Sequence, residues 1–259
     1  MKGRKLGKLF VSLFHTTPAE RTQYSIADIR SRRGFPIVGV IGSSRILGDS
    51  NVEHAAARAG YLARGMLEDS GAIMMGGSEG VGNIAYEGLP FYDVDELPGE
   101  TTSLGENWNP YGGVWLRCFD EKLLSDRTFI LLPDDSYVRL QVDRALEEGK
   151  PDYVSPLFHL ESDQVIPGDY PLHPSYEFAG ADYGKRPAAM AELGDAFVMI
   201  AGSDNTRLEA EAVLRNFKPL FVVRGTGGVA DEYVDHDSQN VHVLDSVEEL
   251  PSRLEEVLA

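Results

Sequence analysis

The sequence predicts an α/β fold: a Rossmann-like three-layer sandwich with a mainly parallel sheet and long loop insertions. Short continuous apolar runs recur along the chain, and such runs are typical of strands buried on both faces of a parallel sheet. Polar or glycine-rich turns follow several of these runs, and stretches with apolar residues at helical spacing follow the turns. Alternating strands and helices indicate a doubly wound sheet. The expected strands are 37–42, 72–75, 128–132, 196–200, 220–223 and 241–244.

Length and charge limit the classes of protein that the chain can belong to. Its 259 residues suit one large domain with insertions. The formal net charge of −17 argues against a nucleic-acid-binding surface, which needs clustered Lys and Arg. Basic residues are concentrated in the first 33 residues. We therefore expect a basic N-terminal arm over 1–36, packed on the domain or on a partner subunit, and one Rossmann-like domain over 37–259.

Cysteine usage and hydropathy point to a cytoplasmic protein without metal or membrane contacts. Cys118 is the single cysteine, so the chain has no internal disulfide, and we expect a buried structural thiol. The six histidines show no metal-ligand spacing. No apolar run approaches the length of a membrane span. We expect no metal and no cofactor.

The first two strands end in turns that can bind an anion. Ser50 and Glu53 have the spacing of a capping box, which predicts a helix from Ser50 to about residue 68, with its N-terminal amides near the end of the first strand. Glycines after a strand let the backbone approach a ligand closely, although such turns are also common for steric reasons. The binding residues predicted in this half are Gly42, Ser43, Ser44, Gly76, Gly77 and Gly80.

The middle of the chain is irregular in composition. Residues 95–113 are rich in Pro, Gly, Asn and acids and predict a long loop, of the kind that often covers a binding site. Residues 152–184 also predict irregular structure, with a short strand near 154–160. Residues 125–151 repeat the pattern of 194–219, a strand, a polar turn and a helix closed by Lys-Pro, but Gln141 stands where the second copy has Glu209.

The second half repeats the strand, turn and helix pattern with more chemistry in its turns. A helix over 185–193 precedes the strand 196–200, and a helix over 206–217, with Leu208 on its inner face, follows it. Turns at the carboxyl ends of parallel strands are where such sheets bind ligands. The binding residues predicted in these turns are Gly202, Ser203, Asp204, Asn205, Thr206, Gly225, Thr226, Gly227 and Gly228.

The order of residues in this half resembles the Lonely Guy family of nucleoside 5′-monophosphate phosphoribohydrolases. Arg186 and Met190 match the family's R-x-x-x-M, 195–197 match its D-A-F, and Gly202, Thr206 and Glu209 match its G-x-x-x-T-x-x-E. The chain departs from the family at Pro187, Ala201, Ser203 and Asn205, where the family has Lys, Pro, Gly and Gly. The arginine and the glutamate are kept, whereas the glycine-rich turn is degraded.

The resemblance implies cleavage of the N-glycosidic bond of a nucleoside 5′-monophosphate, releasing the base and ribose 5-phosphate. It implies that Glu209 stabilises the charge on the ribose, that Arg186 holds the phosphate or the base, and that the chain forms a homodimer. Three alternatives stay open at this point. The chain is similar to nucleoside 2-deoxyribosyltransferases, which also use a glutamate. A non-catalytic binding or sensing module of the wider SLOG superfamily, or a cofactor carrier, fits the lost glycines. Thr206 and Glu209 also have the spacing of a structural capping box.

Overall fold

The computed structural model describes residues 26–33, 35–44, 49–65, 71–76, 80–88, 91–93, 106–108, 114–117, 128–132, 175–178 and 184–258. Its elements are, in chain order, α1 (Ile26–Arg33), β1 (Ile37–Gly42), α2 (Ser50–Gly65), β2 (Ala72–Gly76), α3 (Val81–Gly88), β3 (Phe91–Asp93), β4 (Glu106–Trp108), β5 (Val114–Arg117), β6 (Thr128–Leu132), β7 (Ser175–Phe178), α4 (Arg186–Leu193), β8 (Ala196–Ile200), α5 (Asp204–Arg215), β9 (Leu220–Val223), α6 (Gly228–Tyr233), β10 (Val241–Leu244) and α7 (Leu250–Leu258), with a 3-10 turn at Val247–Glu249 before α7.

A seven-stranded sheet forms the centre of the fold, in the order β10-β9-β8-β1-β2-β6-β7. Every neighbouring pair in it is parallel. The chain builds outward from β1 to β7 on one side and then returns to the other side of β1 with β8. The protein therefore has a Rossmann-like α/β fold, and the fold class and all six strands predicted from the sequence are confirmed.

Two hydrophobic cores cover the two faces of this sheet, because side chains alternate between faces along each strand. Val38 and Val40 of β1 lie in the core shared with α2, α3 and α7. Ile37 and Ile41 lie in the core shared with α1, α4, α5 and α6. All five residues of β8 are buried, as its continuous apolar sequence predicts. The three layers are therefore helix, sheet and helix.

Short strands add to the predicted set. Within the expected loop 95–113, residues 106–108 form β4, which joins β3 and β5 in a three-stranded antiparallel sheet. The expectation of an unstructured loop there is wrong at these residues, because three-residue strands are too short to produce a recognisable alternation. β7 is a further unpredicted strand, at the edge of the main sheet. The predicted strand near 154–160, Cys118 and Gln141 lie outside the described residues.

One helical side chain faces away from its expected position. Leu208 is 51% exposed, so it lies on the outer face of α5 and not on the inner face. The buried apolar residues of α5 are Ala210, Ala212 and Val213. The helix begins at Asp204, two residues earlier than predicted, and ends at Arg215. The apolar pattern alone overestimated the width of the buried stripe.

Asp195 joins several elements at the amino-terminal edge of the sheet. Its side chain is buried, forms an ion pair with Arg30 of α1 and accepts a hydrogen bond from the backbone nitrogen of Ile37 at 2.9 Å. Lys218 lies 3.7 Å from the same carboxylate. Ile29 of α1 is fully buried in the adjoining core. The described end of the N-terminal arm therefore packs on the domain, and Asp195 serves the scaffold at the edge opposite the carboxyl ends of the strands.

Candidate functional site

The strands that follow β1 in sequence are added on one side of it up to β7, and β8 to β10 are added on its other side. The position between β1 and β8 is therefore the topological switch point. The two strands are paired in register up to their ends, where Gly42 lies opposite Ile200. In open α/β sheets, ligands bind in the crevice outside the carboxyl ends of the strands at such a point. The elements that surround this crevice in the described chain are the ends of β1, β2 and β8 and the beginnings of α4 and α5.

Arg186 and Glu209 meet beside this crevice. Arg186 is the first residue of α4 and Glu209 lies in the second turn of α5; both helices run antiparallel to the strands, so both begin at the carboxyl edge. Nη2 of Arg186 donates to Oε1 of Glu209 at 2.5 Å. Only 12% and 8% of the two side chains are exposed. The structure thus brings together the two residues that the sequence resemblance assigns to chemistry.

Burial dominates the electrostatics of this pair. It raises the pKa of the Glu209 carboxyl above its ordinary value, and the adjacent Arg186 guanidinium opposes that rise. Nη1 of Arg186 is buried and has no hydrogen-bond partner within the described part of the chain. An unpaired buried donor is costly, so this nitrogen is a group that a ligand oxygen can satisfy.

Gly76, at the end of β2, makes room for this guanidinium. A Cβ atom on residue 76 would lie 2.8 Å from Nη1 of Arg186. The sequence assigns Gly76 to direct backbone contact with a ligand. The structure places the guanidinium of Arg186 against it, so the absence of a side chain at residue 76 makes room for the arginine.

Thr206 connects the start of α5 to the end of β1. Its Oγ1 donates to the carbonyl of Gly42 at 2.9 Å and accepts from the backbone nitrogen of Ser203 at 3.2 Å. Ser203 is the N-cap residue of α5, and it forms the capping box with Thr206. The alternative that Thr206 is the N-cap residue and that Glu209 completes its capping box is therefore wrong. Thr206 is the third residue of α5, and Glu209 pairs with Arg186 instead. The Thr206 hydroxyl therefore both donates and accepts a hydrogen bond within the protein.

The turn after β8 is held in an uncommon backbone conformation. Ala201 has φ +53° and Gly202 has φ +125°, in the region that side chains rarely adopt. The Ala201 nitrogen donates to Oγ1 of Thr226 at 2.9 Å, and that hydroxyl donates to the Val223 carbonyl at 2.8 Å. Strain that persists at the end of a strand requires such support from the surroundings. Thr226, predicted to contact a ligand, instead fixes this turn.

The glycine turn at 225–228 supports the same segment. The nitrogen of Gly225 donates to the Asp231 carboxylate at 2.8 Å. A Cβ atom on Gly228 would lie 2.3 Å from the Gly202 carbonyl oxygen, which in turn accepts from Val229 at 3.2 Å. The turn that contains Gly227 therefore packs against the turn after β8. Its described contacts are internal to the protein.

The turns after β1 and β2 also pack against each other. The carbonyl of Ser43 accepts from the nitrogen of Val81, the first residue of α3, at 2.8 Å. A Cβ atom on Gly80 would lie 1.7 Å from this carbonyl oxygen and 2.7 Å from the carbonyl carbon of Ser44. Gly80 is thus required for close backbone packing. Gly77 lies outside the described residues.

The helix that follows β1 has a different cap from the one predicted. Asp49, not Ser50, closes the start of α2: its Oδ1 accepts from the nitrogens of Asn51 at 3.0 Å and Val52 at 3.4 Å. Aspartate before a helix is a common capping signal, but a serine beside it with a glutamate three residues later is an equally good one. The sequence could not rank the two. The predicted anion site at this helix start is filled by the Asp49 carboxylate.

The described residues include neither a metal-binding cluster nor a membrane-spanning helix. No group of three His, Cys, Asp or Glu side chains comes together there to hold a metal ion. None of the described helices is long and apolar enough to cross a membrane. A groove of about 380 Å³ between α5 and α6 contains none of the predicted site residues; it is lined by Glu211, Leu214, Arg215, Tyr233, His236 and Ser238.

No family model matches the chain, and no curated protein matches it. Solved structures of several proteins align with most of it, three of them as follows. TM1055, a structural genomics target, is 20% identical, with 86% of this chain and 99% of that chain covered and a TM-score of 0.48. The Moco carrier protein from Chlamydomonas reinhardtii is 17% identical, with 86% and 97% covered and a TM-score of 0.48. DNA processing protein A from Helicobacter pylori, described as binding single-stranded DNA, is 13% identical, with 87% and 83% covered and a TM-score of 0.48. Likeness at this level assigns no activity.

Proposed function

We propose that the chain hydrolyses the N-glycosidic bond of a nucleotide or nucleoside and releases the free base. The observation that carries this proposal is the buried contact of 2.5 Å between Arg186 and Glu209 beside the crevice at the switch point. The sequence resemblance implies a nucleoside 5′-monophosphate as the substrate and ribose 5-phosphate as the second product. In this proposal the Arg186–Glu209 pair acts at the N-glycosidic bond. The pair does not determine whether the ligand carries a phosphate at its 5′ position.

The chemistry requires a carboxylate beside the anomeric carbon. As the bond between C1′ and the base nitrogen breaks, its electron pair leaves with the base and positive charge develops on the ribose ring. An ionised Glu209 stabilises that charge and accepts a proton from the water that adds to C1′. The same proton then passes to the nitrogen of the departing base, so that the free base leaves neutral and Glu209 is ionised again. A buried carboxylate is effective in this role because few water molecules screen its charge.

Arg186 supports the carboxylate in two ways. Its guanidinium favours the ionised form of Glu209 and so opposes the effect of burial on the pKa of that group. It also fixes the position of Oε1 by a charge-assisted hydrogen bond. The second nitrogen, Nη1, is left to donate to the ligand. These assignments make Glu209 the catalytic residue and Arg186 a ligand-binding and positioning residue.

Product analysis tests the proposal. Purified protein is incubated with matched nucleosides and nucleoside monophosphates, and released base is measured by chromatography. We expect free base with the parent protein and a loss of turnover by orders of magnitude with Glu209→Gln. Glu211→Gln, which removes a charge from the exposed side of the same helix, is the matched control and should keep parental turnover. Transfer of deoxyribose between bases would instead identify a deoxyribosyltransferase.

A binding or sensing module without turnover is the second candidate. It is favoured by the direct pairing of Arg186 with Glu209, because two buried charges that satisfy each other can serve the fold alone. Binding of a nucleoside or nucleotide without release of base by the parent protein would decide for this candidate. The homodimer implied by the sequence resemblance belongs to both candidates, and light scattering at micromolar concentration tests it.

A further inference from the structure

The outer face of α5 carries a row of side chains that the fold leaves exposed. Leu208, Glu211 and Arg215 are three and four positions apart, so they lie along one stripe of the helix. Leu208 is 51% exposed, and the side chains of Glu211 and Arg215 are 46% and 69% exposed. Nη1 of Arg215 lies 3.9 Å from Oε2 of Glu211, a long distance for an ion pair. Such a pair contributes little by itself, so both charges can bind a further partner.

A groove runs beside this stripe, between α5 and α6. Its volume is about 380 Å³, and its lining residues include Glu211 and Arg215 together with the apolar side chains of Leu214 and Tyr233. Tyr233 is buried, and its ring stacks on that of His236 with the centroids 5.0 Å apart. A row of projecting side chains next to a groove is the arrangement by which two helices pack on each other.

A phenylalanine at the end of the same helix has a costly conformation. Phe217 follows the C-cap residue Asn216, has φ +54° and is 82% exposed. Helices commonly end in this left-handed conformation, but usually with glycine, because a side chain is strained there. The nitrogen of Phe217 donates to the Leu214 carbonyl at 3.0 Å, which fixes the turn. Neither the strain nor the exposure of the ring benefits the isolated chain, which indicates a contact outside it.

We propose that this face binds a second copy of the chain, with the two α5 helices antiparallel about a two-fold axis at the level of Val213. In that register Glu211 of each copy lies opposite Arg215 of the other, because the two positions are equally far from 213. Leu208 then lies opposite positions 217–218 of the second copy, where the exposed phenylalanine is. A two-fold interface requires a surface that is complementary to itself in this way.

The charges of the stripe select a second copy over other partners. The stripe carries one carboxylate and one guanidinium, so a partner of a single charge sign would match only one of them and oppose the other. The same stripe, reversed, matches both. The sequence resemblance implies a homodimer but assigns no surface to it. The proposed contact is centred on the second half of α5, away from the crevice, and it does not depend on release of base.

Exchange of charges tests the register. Glu211→Arg and Arg215→Glu each place like charges opposite each other in a homodimer, so each variant alone should be monomeric. An equimolar mixture should dimerise, because a copy with two arginines then faces a copy with two glutamates. Masses are measured by light scattering from about 1 to about 100 μM, in about 0.15 M NaCl, which screens the repulsion between chains of charge −17.

Arg253→Glu is the matched control for the charge variants. Arg253 forms a comparably exposed pair with Glu256 within α7, with Nη1 and Oε2 2.8 Å apart, and α7 packs on the opposite face of the sheet. This variant changes the net charge as Arg215→Glu does, yet it should keep the mass of the parent. A general effect of charge on association would change both proteins alike.

Phe217→Gly tests the apolar part of the contact without endangering the fold. Glycine adopts a φ of +54° without strain, so circular dichroism and thermal unfolding should show a folded protein. We expect the Kd of the dimer to rise by about a hundredfold, which is about tenfold for each of the two symmetric contacts.

Each outcome decides the inference. A dimeric parent, monomeric charge variants and a dimeric mixture support it. A parent that stays monomeric at about 100 μM overturns it, and so does a mixture that stays monomeric. Dimers that persist in both charge variants and in Phe217→Gly also overturn it, because the contact then lies elsewhere. Release of base is measured on the same proteins, so failure of the interface and failure of the proposed hydrolysis are seen separately.

Discussion

Replacing Glu209 by Gln separates the structural from the chemical contribution of this residue. Glutamine keeps the size of the side chain and can still accept a hydrogen bond from Nη2 of Arg186. It leaves the guanidinium without a counter-charge in a site where 12% of the arginine side chain and 8% of the glutamate side chain are exposed. Loss of one partner from a buried ion pair costs about 3–5 kcal/mol. We expect a smaller cost, about 1–2 kcal/mol in the free energy of unfolding, because the hydrogen bond remains and because burial already favours the uncharged form of the Glu209 side chain.

The double variant Arg186→Met/Glu209→Gln measures the coupling between the two side chains. Methionine removes the buried charge and fills part of the space, so the double variant should be more stable than the sum of the two single effects predicts. We expect a coupling of about 2 kcal/mol from urea unfolding of the four proteins in the cycle. Additive single effects, or a cost below about 1 kcal/mol for Glu209→Gln, would refute the reasoning that the pair is buried and mutually dependent.

The pair of Arg207 and Glu232 is the matched control for this cycle. It has similar geometry, with hydrogen bonds of 2.6 Å and 2.9 Å, but its side chains are 36% and 53% exposed. Solvent screens such a pair, so its coupling should be much smaller than that of the buried pair. Comparable coupling in both cycles would show that burial is not the deciding factor.

The pH dependence of the parent and of Glu209→Gln gives a second measure of the same site. Burial raises the pKa of Glu209 in the folded protein. A carboxyl group with a raised pKa binds its proton more tightly in the folded than in the unfolded state. Its contribution to stability is therefore fully present below the unfolded pKa and is lost as the pH rises through the folded pKa. This pH-dependent contribution should be absent when the free energy of unfolding of Glu209→Gln is measured as a function of pH.

Three further predictions concern the residues that support the fold. Thr206→Val should lower the free energy of unfolding by about 1–2 kcal/mol because it removes the donor to the Gly42 carbonyl, whereas Thr206→Ser should stay close to the parent in urea unfolding. Gly228→Ala should cost more than Gly225→Ala: both have positive φ, +59° and +74°, but only at Gly228 would the new Cβ meet a backbone oxygen at 2.3 Å. We expect about 1–2 kcal/mol for Gly225→Ala, and equal costs would contradict the packing argument. Burial lowers the pKa of His242, so stability falls as the pH drops below the ordinary histidine pKa of 6.5 and through the lowered one; His242→Gln should flatten the stability curve in that acidic range.

The main sheet could be predicted from the sequence because its central strands are buried on both faces. The run 196–200 shows this directly, since all five side chains are buried. β7 could not be predicted in the same way. Among the described strands it lies at the sheet edge and pairs with β6 alone, so its sequence, Ser175–Phe178, does not need to be continuously apolar.

The helix starts and the roles of the site residues were harder to predict. Asp49 and Ser50 are both good capping residues, as are Ser203 and Thr206, and the choice depends on where the ends of the strands place the first helical amide. Arg186 and Glu209 were identified by resemblance, and their contact follows from the fold because α4 and α5 begin at the same edge. The glycine turns were assigned to ligand contact, although Gly228 and Gly80 are needed for packing. Sequence does not distinguish the two needs.

The contact between Gly76 and Arg186 constrains how this protein can diverge. The two positions are 110 residues apart in the sequence, yet a Cβ atom at position 76 would lie 2.8 Å from the guanidinium. A methyl group at 76 and an arginine at 186 are thus incompatible without a shift of one of them. In homologous sequences the glycine should be retained wherever the arginine is, and it should become free to vary wherever position 186 carries a shorter side chain. We expect substitutions at positions 76 and 186 to occur together rather than one at a time.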